Sequence, residues 1–114
     1  MSHEKLDAWK ESMRLVKAIY ELTQSFPQEE QYGLTQQMRR AAVSIPSNLA
    51  EGAARDGKKE YSYFINIARG SLAELDTQLK IAKMLGYTKN ISELSELIIR
   101  VGSMLTGLYK KWSA

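Results

Sequence analysis

No cysteine occurs among the 114 residues, so the chain can form no disulfide, thiolate nucleophile or cysteine-held zinc site. Histidine is nearly as scarce. His3 stands alone ahead of the first helical pattern, which leaves no histidine base within a core and no Glu-x-x-His metal motif. Its place near the start of the chain predicts terminal disorder. The seven glycines are scattered, with neither a Gly-x-Gly-x-x-Gly nor a Walker-type loop to cradle phosphate. No apolar run approaches the roughly 18 residues that a membrane span needs, and the opening Met-Ser-His-Glu-Lys leads into none. These absences predict a soluble, cytoplasmic, non-enzymatic protein with no catalytic residue, metal or cofactor. Charge of either sign is moderate: 16 Lys+Arg against 13 Asp+Glu give +3, a bias that gains weight only if subunits assemble.

What the chain has in quantity is helical periodicity. With 44% hydrophobic residues it can bury one modest core, so residues 1–114 are expected to form a single domain. Apolar residues recur at intervals of three and four. The first segment carries Leu6, Trp9, Met13, Val16 and Tyr20, and the second Leu34, Met38, Ala42, Ile45 and Leu49. The third carries Tyr61, Ile65, Ala68, Leu72, Leu75, Leu79 and Ala82, and the fourth Ile91, Leu94, Ile98, Val101, Leu105, Leu108 and Trp112. Phe26-Pro27, Gly33, Gly57 and Leu85-Gly86-Tyr87 punctuate the four segments, the last in the manner of a glycine helix stop. Short connections favour antiparallel neighbours, so the fold class is all-α, an antiparallel up-down-up-down four-helix bundle.

Within the second segment lies Arg39-Arg-Ala-Ala-Val-Ser-Ile-Pro-Ser-Asn-Leu-Ala-Glu-Gly52, with a proline inside a helical pattern. An interior proline removes a backbone hydrogen bond and costs about 3 kcal/mol, and Ser44 and Ser47 are placed to relieve it. Asn48 and Glu51 also have capping-box spacing, so a new helix after Pro46 is the alternative. Such a helix would end near Arg55, too short to hold without strong packing. One helix from about Leu34 to Arg55, kinked at Pro46, is the expectation. Gly70, inside the third helix, points to close approach by a neighbouring helix.

Beside its first seam, the opening helix carries a second stripe of Leu15, Ile19, Leu22 and Phe26, so its apolar arc spans roughly 200° at 100° per residue. Leu97, Ile99 and Met104 widen the fourth helix in the same way. The second stripe is either the flank of one wide core or a subunit interface, and the interface is favoured, in a closed homo-oligomeric ring. Arg39, Arg40, Arg55, Lys58, Lys59 and Arg69 are the candidates for phosphate contacts. Tyr61 and Tyr63 could stack on unpaired bases, although Tyr61 lies on the core seam. A polar stripe of Gln36, Arg40, Ser44, Ser47, Asn48, Glu51 and Arg55 runs along the second helix, as a solvated face or as the lining of a contact.

Taken together, Leu6-Asp-Ala-Trp9 with Met13, Phe26-Pro-Gln-Glu-Glu30, Tyr32-Gly-Leu34, Arg39-Arg40, Val43 to Gly52, Ala68-Arg-Gly-Ser-Leu-Ala-Glu-Leu75 and Gln78-Leu79 resemble a known family. It comprises the four-helix-bundle proteins encoded in intervening sequences of bacterial 23S rRNA genes, sometimes labelled ribosomal proteins. Arg40, Ser44, Pro46, Asn48, Glu51 and Gly52 match its signature. The resemblance extends to the accessory variability protein of diversity-generating retroelements, a basic pentameric barrel that binds nucleic acid and a reverse transcriptase. It implies a homopentamer and an RNA- or DNA-binding accessory role, with a reverse transcriptase or another protein as possible partner. The rival expectation is a protein-protein scaffold that binds no nucleic acid.

Overall fold

The computed structural model describes residues 2–114 and is built from helices alone among them. A single 3-10 turn, His3–Lys5, precedes helix α1 (Asp7–Thr23). A second, Gln28–Glu30, leads into α2 (Leu34–Ala54), followed by α3 (Lys58–Met84) and α4 (Ser92–Ser113). Helix α1 packs on α2 and α4, and α3 packs on the same two, so α1 and α3 stand on one diagonal of an up-down-up-down bundle. At 1.5 Å per residue the 27 residues of α3 run about 40 Å, close to the 43 Å long dimension of the molecule.

Helix α2 continues unbroken through Pro46, which is buried. The carbonyl that Pro46 leaves without its helical donor is that of Ala42, and the side-chain bonds nearest the proline gather at Ser44 and Asn48, two residues to either side of it. The Asn48 side-chain amide donates to the Ser44 carbonyl at 2.7 Å and to Ser44 Oγ at 2.9 Å, and Ser44 Oγ lies 2.8 Å from Ser71 Oγ on α3. Asn48 thus donates backward along the helix, the opposite of an N-cap, which accepts from the residues ahead of it. A fresh helix after Pro46 is thereby excluded, and Ser47, expected to help, is exposed. Gly52 completes the seam. A Cβ there would lie 2.9 Å from Phe64 Cβ and 3.0 Å from Tyr61 Cδ1, closer than real side chains pack. Gly70 departs from expectation, because a Cβ at that position meets nothing within 4 Å.

The ends of α2 and α3 are tied by side chains far apart in sequence. Glu30 accepts from the Leu34 backbone N–H at 3.1 Å and from the Tyr87 hydroxyl at 2.8 Å. It thereby satisfies one of the free donors at the α2 N-terminus. Tyr87 reaches it because Gly86, at φ +80°, turns the chain. The Tyr87 N–H bonds the Ala82 carbonyl and the Gly86 N–H that of Lys83, the two bonds of a Schellman stop. The Leu34 N–H and then Tyr87 hold the Glu30 carboxyl below its ordinary range, while Glu30 pushes the Tyr87 phenol up.

The first helix corrects the expected face. Leu15 and Ile19 have no exposed surface and Phe26 almost none, with Leu22 packed against them, so this stripe is core and cannot be a subunit interface. Met13 and Tyr20, expected inside, are 43% and 40% exposed. The line facing the bundle axis runs through Ala8, Ser12, Leu15, Ile19, Thr23 and Phe26. Its small polar members are satisfied locally, Ser12 by the Trp9 carbonyl and Thr23 by that of Ile19, both at 2.8 Å. Two flanking neighbours, α2 and α4, account for the wide apolar arc: Trp9, Val16 and Leu22 are all half-buried against the core. In α4, Leu97 and Met104 do likewise, while Ile99 is exposed. The His3 ring lies edge-on to Trp9, with ring centres 5.3 Å apart.

Three expected outcomes test this packing. In urea denaturation Gly70→Ala should gain about 0.8–1 kcal/mol from helix propensity. Gly52→Ala should lose about 1 kcal/mol or more to overpacking, and a Gly52→Ala protein as stable as the parent would refute the close approach. Leu15→Glu should abolish the helical circular dichroism that Met13→Glu preserves. Because the Glu30 carboxyl is depressed in the fold, its stabilisation is full above the ordinary carboxylate value of about 4.3 and is lost as pH falls through the lower folded value. Acid unfolding of Glu30→Gln should therefore be the shallower of the two, from a less stable start at neutral pH.

Candidate functional site

Beside the α1–α2 seam the surface opens into a groove of about 560 Å³, lined by Tyr20, Tyr32, Arg39, Arg40, Val43 and Ser44 together with Gln31, Thr35 and Gln36. A second groove of about 390 Å³ adjoins it toward Pro27 and shares Gln31, Thr35 and Arg39 with the first. Neither lining includes an aspartate or glutamate, so the trough combines two guanidinium groups with amides and hydroxyls.

The two arginines are adjacent in sequence and differ in task. Arg39 is half-buried: its Nε donates to Thr23 Oγ1 at 2.8 Å, one terminal nitrogen donates to the Tyr20 carbonyl at 3.3 Å, and its guanidinium lies 4.5 Å from the centre of the Tyr20 ring. It braces α2 against α1 while presenting charge to both grooves. Arg40, one residue and about 100° further round the helix, is exposed at the groove wall. Tyr32 lies in the turn before α2 and is 83% exposed, so it contributes almost nothing to the core.

The other basic candidates lie elsewhere. Arg55 follows the far end of α2, about 22 Å along the helix from Arg40, where it pairs with Glu51 at 3.1 Å and lies over Phe64. Lys58 and Lys59 open α3 beside it and are exposed. Arg69 is on α3, over the Tyr109 ring of α4 and within 3.3 Å of Asn66. The six therefore form three separate patches, and only Arg39 and Arg40 share a groove. Glu51 thus finds its partner one turn further along the chain, at the residue that caps α2. Tyr61 is buried against Trp112 with ring centres 4.8 Å apart, and Tyr63 is exposed against Phe64.

Sequence reasoning missed Tyr20 and Tyr32 as exposed aromatics of the site. The available sign was position: Tyr32 falls between Glu-Glu-Gln and Gly33, in a turn where a large ring has no helix face to bury it. Among the described residues no group of three or more acidic or histidine side chains could hold a metal ion, and no helix is long and apolar enough to cross a membrane.

Signature residues Ser44, Pro46, Asn48 and Gly52 are buried or half-buried along α2, with Ser44 and Gly52 directly against α3. Arg40 and Glu51 of the same signature are exposed. No curated protein matches the chain. The family model described as 23S rRNA-intervening sequence protein matches residues 4–107, which takes in all of α1, α2 and α3 and most of α4. By that match over nearly its whole length, the chain belongs to the 23S rRNA-intervening sequence protein family.

Proposed function

We propose that this protein is a non-enzymatic, homo-oligomeric accessory protein that binds RNA through phosphate contacts at the α1–α2 trough. The observation that carries the reading is the trough itself, where Arg39 and Arg40 stand together with no acidic side chain in the lining. The family's description ties its members to the intervening sequences of an rRNA gene, which makes RNA the first nucleic acid to try. Arg40 supplies the free phosphate contact, and Arg39 adds charge from a fixed position. Arg55, Lys58, Lys59 and Arg69 add field at a distance and are secondary.

Assembly draws on surface that the monomer leaves uncovered. Along α3, Tyr63, Ile67 and Gly70, and then Thr77, Ile81 and Met84, keep a three-and-four spacing on either side of the exposed Glu74, on a side where Tyr63, Ile81 and Met84 are exposed and Gly70 faces open space. This stripe replaces Leu15, Ile19, Leu22 and Phe26 as the candidate subunit contact, and a pentamer remains the stoichiometry implied by the family resemblance. Every added subunit would multiply the +3 net charge. The same stripe favours a second reading, a scaffold whose only partners are proteins, a reverse transcriptase among them.

Fluorescence anisotropy with labelled RNA at low and near-physiological salt, with the mass of the same sample taken by light scattering, separates the two. Arg40→Glu should weaken RNA binding several-fold and flatten the salt dependence by about one phosphate contact, with mass and helicity unchanged. RNA affinity equal to that of the parent protein would remove Arg40 from the site, and no RNA binding by the parent even at low salt would leave the scaffold.

A further inference from the structure

Resting on the RNA-binding reading, we infer that the α1–α2 trough is a single-strand site, in which an unpaired base stacks on Tyr32 while Arg40 and Arg39 hold the flanking phosphates. Tyr32 is the most informative residue for this. It is 83% exposed at the mouth of the groove, and a large aromatic ring left in water by the fold has its π-face free for a planar partner. Across the groove Tyr20 already carries a planar cation, the Arg39 guanidinium 4.5 Å from its ring centre. That pairing shows the geometry that the wall accepts, a flat group laid on an aromatic face.

The polar lining fits a nucleotide better than a bare anion. Two of the five N–H donors of Arg39 are spent on Thr23 and the Tyr20 carbonyl, which leaves three for a ligand. The Gln31 and Gln36 amides each offer both donors and acceptors, the mixture that base edges require and phosphate alone does not. The volume of about 560 Å³ falls within the range of about 300–1,000 Å³ typical of small-ligand sites. The adjoining groove past Arg39 extends the path beyond one nucleotide. A duplex keeps its bases stacked on one another and offers no free face to Tyr32, so the trough should discriminate by strandedness.

The test uses the whole chain and labelled twelve-nucleotide RNAs, oligoadenylate as the single strand and two complementary twelve-nucleotide strands annealed without overhangs as the duplex, at one salt concentration. The parent should prefer the single strand. Tyr32→Ala should weaken single-strand binding roughly tenfold or more and so narrow the preference over the duplex, and Tyr32→Phe should restore the parent affinity. Because Tyr32 is so exposed, both variants should keep the parent circular dichroism. Single-strand affinity unmoved in Tyr32→Ala, while Arg40→Glu still weakens binding, would overturn the stacking site and leave the phosphate reading intact. Failure of the parent to bind either RNA would overturn both. Two competitors identify the ligand: polyglutamate displacing the RNA as well as oligoadenylate does would assign the trough to an acidic peptide, and AMP displacing it equally well per nucleotide would assign it to a free nucleotide. Either result would overturn the single-strand site.

Discussion

Helix α2 can lie against α3 only because position 52 has no side chain; with a Cβ there the Phe64 and Tyr61 side chains would have to move or the helices to part. That single contact fixes the separation at one end of the pair. Further along, the Ser44–Ser71 bond fixes it again at 2.8 Å, a distance two hydroxyls can keep only if the backbones are close. Pro46 sits between these two contacts. Its missing N–H would invite a break in a free helix, yet here the helix is held against its neighbour on both sides of the defect, and Asn48 adds bonds to the turn before it. The continuity of α2 is therefore a tertiary property. Local propensity alone would have allowed a stop.

From that seam the position of the trough follows. A continuous α2 carries Arg39 and Arg40 on the turn that passes Tyr20 of α1, and the Arg39 bonds to Thr23 and to the Tyr20 carbonyl lock the register of the two helices. At the other end Glu30 joins the turn before α2 to the loop after α3 through Tyr87, which fixes the base from which Tyr32 projects. The trough is thus framed by ties that the bundle needs in any case.

How much of this was legible in the sequence differs from helix to helix, for a physical reason. In α3 the residues that face the axis are large and apolar enough to be read directly, and all seven from Tyr61 to Ala82 are buried. In α1 the axis line passes through Ala8, Ser12 and Thr23, which a search for large apolar residues passes over, while Met13 and Tyr20 mimic a seam from the rim. An arc of roughly 200° contains both lines, and only the placement of α2 and α4 selects between them. The glycines show the same limit. Gly52 and Gly70 are both interior helix positions, one pressed on by α3 and the other open, and nothing local distinguishes them. The basic cluster fails as a unit for a simpler reason: Arg39 and Arg55, near in sequence, are separated by most of the length of one continuous helix.

A signature made mainly of small or buried residues reports on helix packing, so its match argues first for the fold. Chemistry must then be sought among the side chains that the fold does not consume. Arg39 and Arg40 make the distinction within one dipeptide: the first spends donors on α1 and would be retained in a bundle with no ligand at all, whereas the second makes no such tie and stands exposed beside an equally unneeded Tyr32. A cation and an aromatic ring left free in the same acid-free groove have little to offer the core. They are suited to an anionic, planar partner, which is why the functional argument rests on Tyr32 and Arg40 and the structural one on Gly52.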